Sequence, residues 1–338
     1  MHIAIVILNY NTQNFLEKFL PSVIQTSYLN KSIVVVDNAS TDNSVAYVKT
    51  NFPEVRLIEF TENYGFTGGY NKALQQVEAD YFVLLNSDVL VNSDWLEPMV
   101  EMATNNPKIA AIQPKILQYS NAEYFEYAGA SGGFMDKWGF PFCRGRIFDN
   151  LEKDNAQYDA PMQVFWSTGA ALFIKSDVYK QCGGLEESFF AHMEEIDLCW
   201  RIQNAGYQVW VCPQSVVYHV GGGTLQKENP RKTFYNFRNG LWLLIRNLPK
   251  NKLYSTLFIR ILLDWIAALH FTLKGNWSSA GAILKAHYAV LITFNKVKKM
   301  RSNMSNNAFN TTLIYPKSIV WQYFINKNNK FSSLKHKF

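Results

Sequence analysis

Residues 81–91 read YFVLLNSDVLV, and this stretch decides how the rest of the chain is interpreted. The run Tyr81–Asn86 is apolar up to its last residue, which is typical of a strand covered on both faces. Asp88 follows almost at once, where a carboxylate is costly unless it meets water, a hydrogen bond or a cation. A divalent ion that bridges Asp88 and substrate phosphates would account for it, and a turn-forming Asp is the alternative.

The N-terminal half repeats this pattern, because apolar β-branched runs alternate with segments of helical periodicity. The predicted strands are Ile3–Leu8, Ser32–Asp37, Val55–Phe60 and Tyr81–Asn86, and the predicted helices between them are Phe15–Ile24, Ser44–Thr50 and Tyr70–Val77. Alternating strands and helices form right-handed βαβ units. We therefore predict an α/β fold with a Rossmann-like, mostly parallel sheet flanked by helices.

Polar residues follow each of the four predicted strands. They are Asn9-Tyr10-Asn11, Asp37-Asn38-Ala39-Ser40, Asn63-Tyr64-Gly65 and Asn86-Ser87-Asp88. Ligands of such sheets bind at the carboxyl ends of the strands. The four strand ends therefore predict one shared site.

Individual residues at these ends suit a nucleotide. Asp37 could accept a hydrogen bond from the imide N–H of a pyrimidine, and Tyr10 could stack on that base; a helix cap is the alternative for Asp37. Glycines at 65, 68 and 69 come before a predicted helix whose first N–H groups suit a diphosphate. A simple tight turn explains these glycines equally well.

Residues 191–200, AHMEEIDLCW, place three carboxylates at the start of a helix predicted over Glu194–Ala205. Helical spacing puts Glu195 on the same face as Leu198 and Ile202, the apolar inward stripe. Glu194 instead shares a face with Asp197 and Arg201, which we expect to be solvent-facing or ion-paired. Complementing the helix dipole is explanation enough for Glu194. An inward Glu195 is placed to accept a proton from a hydroxyl.

The composition is that of a folded protein in a reducing compartment. The chain has 338 residues, of which 48% are hydrophobic and 18% charged, so it is not intrinsically disordered. Its four cysteines lie far apart without a C-x-x-C pair, which argues against a zinc site or disulfide framework. The N-terminal apolar run is short and has no basic region before it, so no signal peptide is predicted. We expect a cytoplasmic protein.

The charge of the chain is unevenly distributed. Residues 265–338 contain ten Lys, Arg301 and no acid, so the net charge of +6 divides into +11 there and −5 elsewhere. The basic segment favours a polyanionic partner, and the acidic body argues against nucleic acid. We divide the chain into a catalytic domain, residues 1–225, and a helical, basic C-terminal extension, residues 226–338. Within the first, 121–161 lacks periodicity, which is typical of a functional loop or lid.

Leu253–Leu273 is long enough to cross a membrane, but Arg260, Asp264 and His270 argue against a spanning helix. A helical wheel gathers one broad apolar face, made of Tyr254, Phe258, Ile261, Leu262, Trp265, Ala268 and Leu269. Such a face fits peripheral contact with the inner side of the cytoplasmic membrane. It fits equally well packing on the catalytic domain or a homodimer contact, and the sequence leaves these open.

Seven motifs together resemble the family 2 glycosyltransferases of the GT-A fold, over about the first 245 residues. In chain order they are VILNYN, VVDNASTD, NYGFTGGYNKAL, LLNSDV, STGAALFI, GGLEESFFAHMEEIDLCWR and VYHVGG. Within that family the chain is most similar to bacterial rhamnosyltransferase-like members that build surface polysaccharides of the cell envelope. The resemblance implies a hexosyltransferase that inverts the anomeric carbon and uses Mg²⁺ or Mn²⁺. The implied donor is a UDP- or dTDP-sugar, and the implied acceptor is a saccharide or lipid-linked oligosaccharide.

The resemblance also implies roles for individual residues. Tyr10 and Asp37 would hold the base, Asn63, Gly65, Asn86 and Ser87 would line the nucleotide, Asp88 and His219 would bind the metal, and Glu195 would be the catalytic base. Asn86 stands where the family usually has the first acid of its D-x-D motif, which leaves less charge on the metal. His192 and Glu194 would lie near the acceptor or the donor sugar. Apart from the resemblance, Trp138 and Trp166 could stack on a sugar ring, although buried packing is the better account of both.

Other functions fit the sequence less well. A nucleotidyltransferase acting on sugar phosphates needs a Gly-rich, basic loop after the first strand, where this chain has NYNTQNF. A dehydrogenase is excluded on similar grounds. A glycosidase uses two carboxylates but has no need of a phosphate cradle. A non-catalytic nucleotide- or polyanion-binding protein remains as the alternative outside enzymes.

Overall fold

A computed structural model of the chain describes residues 1–221, 229–301, 312–334 and 336. Its strands are β1 (Ile3–Asn9), β2 (Lys31–Asp37), β3 (Arg56–Glu59), β4 (Tyr81–Asn86), β5 (Val89–Val91), β6 (Ile109–Gln118), β7 (Gly133–Asp136), β8 (Pro141–Cys143), β9 (Arg146–Ile147), β10 (Asn150–Leu151), β11 (Met162–Gln163), β12 (Ala171–Lys175), β13 (Gln208–His219) and β14 (Ile314–Tyr315). Its helices are α1 (Gln13–Ile24), α2 (Ser44–Asn51), α3 (Gly65–Leu74), α4 (Glu97–Asn105), α5 (Ser176–Gln181), α6 (Glu194–Asn204), α7 (Pro230–Asn247), α8 (Lys250–Leu273), α9 (Trp277–Lys299) and α10 (Ile319–Phe324).

The central sheet has the strand order β11-β13-β6-β12-β4-β1-β2-β3, and β5 pairs with β13 off this path. Strand β1 lies between β2 and β4 and is parallel to both. The short β12 runs antiparallel between β4 and β6, so the sheet is mixed but mostly parallel. This confirms the predicted α/β fold.

The strands are continuously apolar because they have a core on each side. In β1, Ala4 and Val6 belong to one core, and Ile3, Ile5 and Ile7 belong to the other. Successive side chains of a strand point to opposite faces, so both faces must be apolar when helices cover both. The same rule explains the apolar run of β4, whose bounds match the prediction.

Helix α3 begins at Gly65 and not at the predicted Tyr70, so Gly68 and Gly69 lie inside the helix. A Cβ atom on Gly69 would approach Leu8 Cδ1 to 2.8 Å. Gly69 therefore allows α3 to pack closely on β1.

The segment 121–161 is not the loop or lid that its aperiodic sequence predicts. It forms most of a second sheet, in the order β10-β9-β8-β7-β14. Phe134 and Phe142 are buried in it. Its strands have two to four residues, too short to produce a periodic pattern in the sequence.

Helices α7, α8 and α9 form a layer against this body, and the predicted domain boundary at 225/226 lies outside the described residues. The C-terminal extension contributes more than helices, because β14 pairs in parallel with β7. The ring of Phe331 also packs 5.2 Å from that of Phe134. The long strand β13 has a register shift against β6 between Cys212 and Val216.

Candidate functional site

Three strand ends meet at one edge of the sheet, as the sequence predicts. Asn9 Nδ2 at the end of β1 donates to Asp37 Oδ1 at the end of β2 over 2.9 Å. Thr12 Oγ1 donates to Asn9 Oδ1 over 2.6 Å and lies 3.0 Å from Ser87 Oγ, just past β4. Asn9 and Thr12 thus position the predicted Asp37 and Ser87. Sequence reasoning did not single them out, although a buried Asn that ends an apolar strand was the available signal.

Asp37 is buried and already has two protein donors. Besides Asn9, the backbone N–H of Ser40 donates to its Oδ2 over 3.0 Å. Helix α2 begins at Ser44 with Asn43 at its N-cap, so Asp37 does not have the helix-cap role considered as the alternative, and its bond from Ser40 closes a turn instead. A carboxylate accepts about four hydrogen bonds, so capacity remains for a ligand donor. Tyr10 beside it is 47% exposed, which leaves its ring accessible for stacking.

Asn38 joins the end of β2 to the start of α3. Its Oδ1 accepts from the Tyr64 N–H, and its Nδ2 donates to Asn63 Oδ1, both over 3.0 Å. Asn63 Oδ1 also accepts from the Gly65 N–H over 2.8 Å, and Gly65 has a φ of +69°. The structure thus brings Asn63 and Gly65 next to Asp37. Apart from this bond to Gly65, no side-chain cap is present at the start of α3 in the described part of the chain.

Asp88 and His219 are brought together by the antiparallel pairing of β5 with β13, which sets His219 opposite Val89. Asp88 Oδ1 lies 3.2 Å from His219 Nε2, and both residues are buried. Asn86 Nδ2 lies 3.5 Å from the same ring nitrogen. The predicted metal ligands are therefore neighbours at the mouth of the sheet.

Glu126 is a residue of this site that sequence reasoning missed. It is buried, and its Oε2 lies 3.4 Å from His219 Nδ1 and accepts from the Ala128 N–H. Burial alone would lower the pKa of His219, but the carboxylates of Asp88 and Glu126 raise it to about 10. Without a metal, the imidazole is thus a cation between two carboxylates. Glu126 lies in the aperiodic segment, so the sequence offered no signal for it.

The residues at this position fit a divalent ion. Octahedral ligands at about 2.1 Å from Mg²⁺ lie about 3 Å from one another, close to the spacing of Asp88 Oδ1 and His219 Nε2. Metal-bound histidines generally donate their second ring N–H to a carboxylate, which is where Glu126 lies. Within the described ranges, no three His, Cys, Asp or Glu residues form a metal cage. The protein would supply two ligands, and the remaining positions suit phosphate oxygens and water.

Helix α6 is buried on all sides, so the predicted division of its faces is only partly right. Glu194 and every residue from Ile196 to Ile202 are buried, whereas Glu195 is partly exposed. Asp197 is fully buried and accepts from Arg201 Nε over 2.8 Å and from α7. The expected ion pair exists, but α7 covers the face that the helical wheel assigned to solvent. Glu195 is thus the one residue among 194–202 that opens toward the site.

Glu194 and Glu195 each carry one shielded carboxylate oxygen with no hydrogen-bond partner in the described structure. Burial raises the pKa of Glu195 to about 7. Burial and the charge of Glu195 raise the pKa of Glu194 further, well above its usual value. Burial and the proximity of the two carboxyls thus disfavour two negative charges at this position.

The segment before β12 contacts both Glu195 and the end of β4. A Cβ atom on Gly169 would lie 3.9 Å from Glu195 Cβ. The next residue, Ala170, accepts at its carbonyl from the Asn86 N–H over 3.0 Å. Glu195 is therefore close to the strand end that carries Asn86, Ser87 and Asp88.

The loop before α6 has an unusual backbone that α7 holds in place. Phe190, His192 and Met193 have φ values between 67° and 76°, which is uncommon for residues other than glycine. Asn239 Nδ2 lies 2.7–3.0 Å from three carbonyl oxygens of this loop. Burial and Lys232 lower the pKa of His192 to about 4, so its imidazole is neutral. Asn239 is a further positioning residue that the sequence gave no reason to select.

The two tryptophans predicted to stack on a sugar lie elsewhere. Trp166 is buried, its Nε1 donates to the Phe134 carbonyl over 2.9 Å, and Gly133 packs on its ring. The stacking role predicted for Trp166 is therefore wrong, and packing is the correct alternative. Trp138 lines a cavity of 410 Å³ with α7 and α8 that includes none of the strand-end residues.

Comparison with known proteins connects this geometry to a family. Residues 4–164 match the sequence model described as Glycosyl transferase family 2. The N-acetylglucosaminyl-diphospho-decaprenol L-rhamnosyltransferase of Mycobacterium tuberculosis is 24% identical over 237 residues, covering 66% of this chain and 77% of that protein. The name of the mycobacterial protein describes transfer of rhamnose to a lipid diphosphate that carries a sugar.

Two solved structures share the fold. One is GalNAc-T7 with UDP, GalNAc and Mn²⁺, with a TM-score of 0.63 and 15% identity over 97% of this chain and 57% of that one. The other is the mannosyltransferase PcManGT from Pyrobaculum calidifontis with GDP-Man and Mn²⁺, with a TM-score of 0.54 and 16% identity over 89% of this chain and 84% of that one. The chain therefore spans a little over half of GalNAc-T7. These likenesses establish the GT-A fold.

Proposed function

The chain belongs to glycosyl transferase family 2, and we propose that it moves a sugar from a nucleoside diphosphate to a hydroxyl group of a saccharide acceptor. The observation that carries this proposal is the facing arrangement of two groups at one sheet edge. Asp88 and His219, whose Oδ1 and Nε2 atoms lie 3.2 Å apart, are the proposed cation site on one side, and Glu195, a carboxyl of raised pKa, is the proposed base on the other. Such an arrangement separates the leaving diphosphate from the attacking hydroxyl.

The donor half of the proposal rests on the three joined strand ends. Tyr10 stacks on the base, and Asp37 accepts from its imide N–H, which favours uracil or thymine. Asn63, Gly65, Asn86 and Ser87 line the ribose and diphosphate, with the uncapped N–H groups of α3 directed toward the phosphates. The proposed donor is a UDP- or dTDP-sugar, with rhamnose as the sugar, because the mycobacterial relative is named a rhamnosyltransferase.

The cation site serves the leaving group. Asp88 and His219 would hold Mg²⁺ or Mn²⁺, which, when bound, neutralises the negative charge that forms on the diphosphate. Glu126 holds the His219 ring so that Nε2 faces the site. Because Asn86 replaces an acid of the D-x-D motif, the protein supplies one carboxylate here. We therefore expect the metal to bind together with the nucleotide.

The acceptor half rests on Glu195. Its carboxylate accepts the proton of the acceptor hydroxyl as that oxygen forms a bond to the anomeric carbon and the bond to the diphosphate breaks. The attack comes from the face opposite the leaving group, so the configuration inverts. Burial and the charge of Glu195 raise the pKa of Glu194, which disfavours a second negative charge at the site. His192, neutral and with a shielded Nε2, lies beside them to contact the acceptor.

The proposed setting is surface polysaccharide synthesis in the cytoplasm, at the inner face of the membrane. The proposed acceptor is a saccharide on a lipid diphosphate, the chemistry named for the mycobacterial relative. The alternative to membrane contact is a homodimer contact through the C-terminal helices.

Thermal unfolding with nucleotides tests the donor site directly. We expect UDP or dTDP with Mn²⁺ to raise the melting temperature, and neither component alone to do so fully. Transfer from UDP- or dTDP-sugars is then measured against hydrolysis of the same donors. Stabilisation by a nucleoside triphosphate with sugar 1-phosphate turnover would instead identify a nucleotidyltransferase. No response to any nucleotide would contradict the proposal.

A further inference from the structure

We propose that the outer face of α8 and α9 docks the protein on an anionic lipid bilayer. This inference uses the proposed function only to explain why docking is useful, since a lipid-linked acceptor is fixed at a membrane. The docking itself rests on exposure, packing and charge in the C-terminal helices.

Large apolar side chains of both helices are exposed along a single stripe of each. The α8–α9 outer face consists of Tyr254, Phe258, Leu262, Trp265, Ile266, Leu269 and Leu273 from α8 and Trp277, Leu284, Tyr288, Leu291 and Ile292 from α9, all 41–78% exposed. Successive members lie mostly three or four positions apart, so each set shares one helix face. Soluble proteins rarely expose a continuous apolar surface of this kind unless something binds it.

The two stripes join into one surface. Trp265 Nε1 on α8 donates to His287 Nδ1 on α9 over 3.0 Å. Near the other end of the pair, Lys298 Nζ donates to the Tyr254 hydroxyl over 3.2 Å. These two contacts place the helices side by side and antiparallel, with their exposed stripes on either side of one seam. Two members of the outer face are Trp and two are Tyr, which suits the headgroup region of a bilayer.

The opposite side of α8 is fixed to the protein body, so this helix lies flat. By length and composition α8 is the one described helix that could cross a membrane. Arg260 and Asp264 pair over 2.9 Å on its inner side, and Arg260 also donates to the Gly139 carbonyl. Both are buried, as are Leu257 one turn earlier and Leu253 two turns earlier. The body thus holds one side of α8 from Leu253 to Asp264, which favours an orientation along the membrane surface over a spanning one.

The charge of this region selects an anionic partner. After residue 228 the only acid of the whole sequence is Asp264, which is fully buried and paired with Arg260 and His287. Lys285, Lys296 and Lys299 are exposed at helical spacing around Ile292 on α9. A second copy of the same face would bring these like charges together. Phospholipid headgroups of negative charge complement them instead.

The same helical layer contacts the candidate active site. Trp242 Nε1 on α7 donates to Thr293 Oγ1 on α9 over 3.1 Å. Asn239, one turn earlier on α7, holds the loop of His192. A bilayer under α8 and α9 would therefore sit at a fixed distance from the acceptor side of the site. This geometry suits an acceptor whose lipid remains in the membrane.

Co-sedimentation of the full chain with vesicles tests the proposal. We expect binding to phosphatidylcholine vesicles that contain phosphatidylglycerol, release by high salt, and little binding to phosphatidylcholine alone. The Phe258→Ser/Trp265→Ser variant should lose binding. Lys296→Gln/Lys299→Gln should weaken it about fivefold for each lysine removed. Leu29→Ser, which changes an apolar side chain 93% exposed on the catalytic domain, is the matched control and should bind normally.

All changed side chains are exposed, and each variant is first shown to melt like the wild type and to retain its response to UDP or dTDP with Mn²⁺. Normal vesicle binding by Phe258→Ser/Trp265→Ser would overturn the proposal. So would a wild-type dimer, seen by light scattering, that this variant converts to a monomer while no vesicle binding occurs. Loss of the nucleotide response in the wild type, with vesicle binding intact, would count against the proposed function and leave docking standing.

Discussion

Replacing the proposed base, Glu195→Gln, should stop transfer and at the same time stabilise the fold at alkaline pH. The carboxyl has a pKa of about 7 in the folded protein, against 4.5 for an ordinary Glu. Between these two pH values the folded chain keeps a proton that the unfolded chain has released. The free energy of unfolding therefore falls as pH rises through this window, and it stays reduced above about pH 7.

The size of the effect follows from the same two values. At about 1.4 kcal/mol per pH unit, the ionised carboxylate of Glu195 destabilises the fold by about 3 kcal/mol at high pH. Gln is neutral at every pH and has nearly the same shape. The stabilisation by Gln should thus be about 2 kcal/mol larger near pH 8.5 than near pH 5.5.

Urea unfolding in metal-free buffer at both pH values measures this difference, and Glu54→Gln is the control because Glu54 is exposed. The control should show no pH-dependent gain and normal transfer. In the wild type, transfer should decline as pH falls through about 7, since the base becomes protonated. A Glu195→Gln variant with normal turnover, or with the same gain at both pH values, would refute the reasoning.

Three further changes test the residues around the site. Glu126→Gln should weaken Mn²⁺ binding in the presence of UDP about 10–100-fold, because Gln no longer carries the charge that orients His219. Calorimetry measures this affinity. Glu123→Gln, an exposed change on the same segment, is the control and should leave the affinity unaltered. Asn239→Ala should lower the free energy of unfolding by about 1–3 kcal/mol, because three loop carbonyls lose their hydrogen-bond donor. It should also reduce kcat more than it raises KM for the sugar nucleotide. Equal effects from Asn236→Ala would show that the loop contact is not the cause. Asp197→Ala should lower the free energy of unfolding in urea by about 3–5 kcal/mol, because Arg201 and Arg246 lose their buried carboxylate. A loss below about 1 kcal/mol would show that water hydrates these guanidinium groups in the variant.

The sequence predicted the parts of the site that lie at strand ends. Apolar runs located β1 and β4 to within a residue, and the carboxyl ends of neighbouring parallel strands must meet. The juxtaposition of Asp37 and Ser87 around Asn9 follows from that topology. Asp88 was noticed for the same reason, since a carboxylate after a fully apolar strand requires a partner.

Residues that depend on contacts between distant segments were not accessible in this way. His219 meets Asp88 because β13 pairs with β5, and no local pattern encodes that pairing. The helical wheel of α6 left the face of Glu194 either solvent-facing or ion-paired. It could not show that the face is covered, because α7, which covers it, comes almost forty residues later. Glu126 and Asn239 act through contacts with residues that are distant in the sequence. The aromatic residues of 121–161 were read as a loop because a sheet of two- to four-residue strands has no periodicity to detect.

The pairing of β14 with β7 has a consequence for biosynthesis. The strand that completes the small sheet, and the ring of Phe331 that covers Phe134 and Phe142, follow those two aromatics by about 180 positions. At a synthesis rate of about 5–20 residues per second, the nascent chain keeps this aromatic cluster uncovered for about ten seconds or more after it leaves the ribosome. Truncation before residue 314 would make that exposure permanent, so we expect shortened chains to need a chaperone or to aggregate.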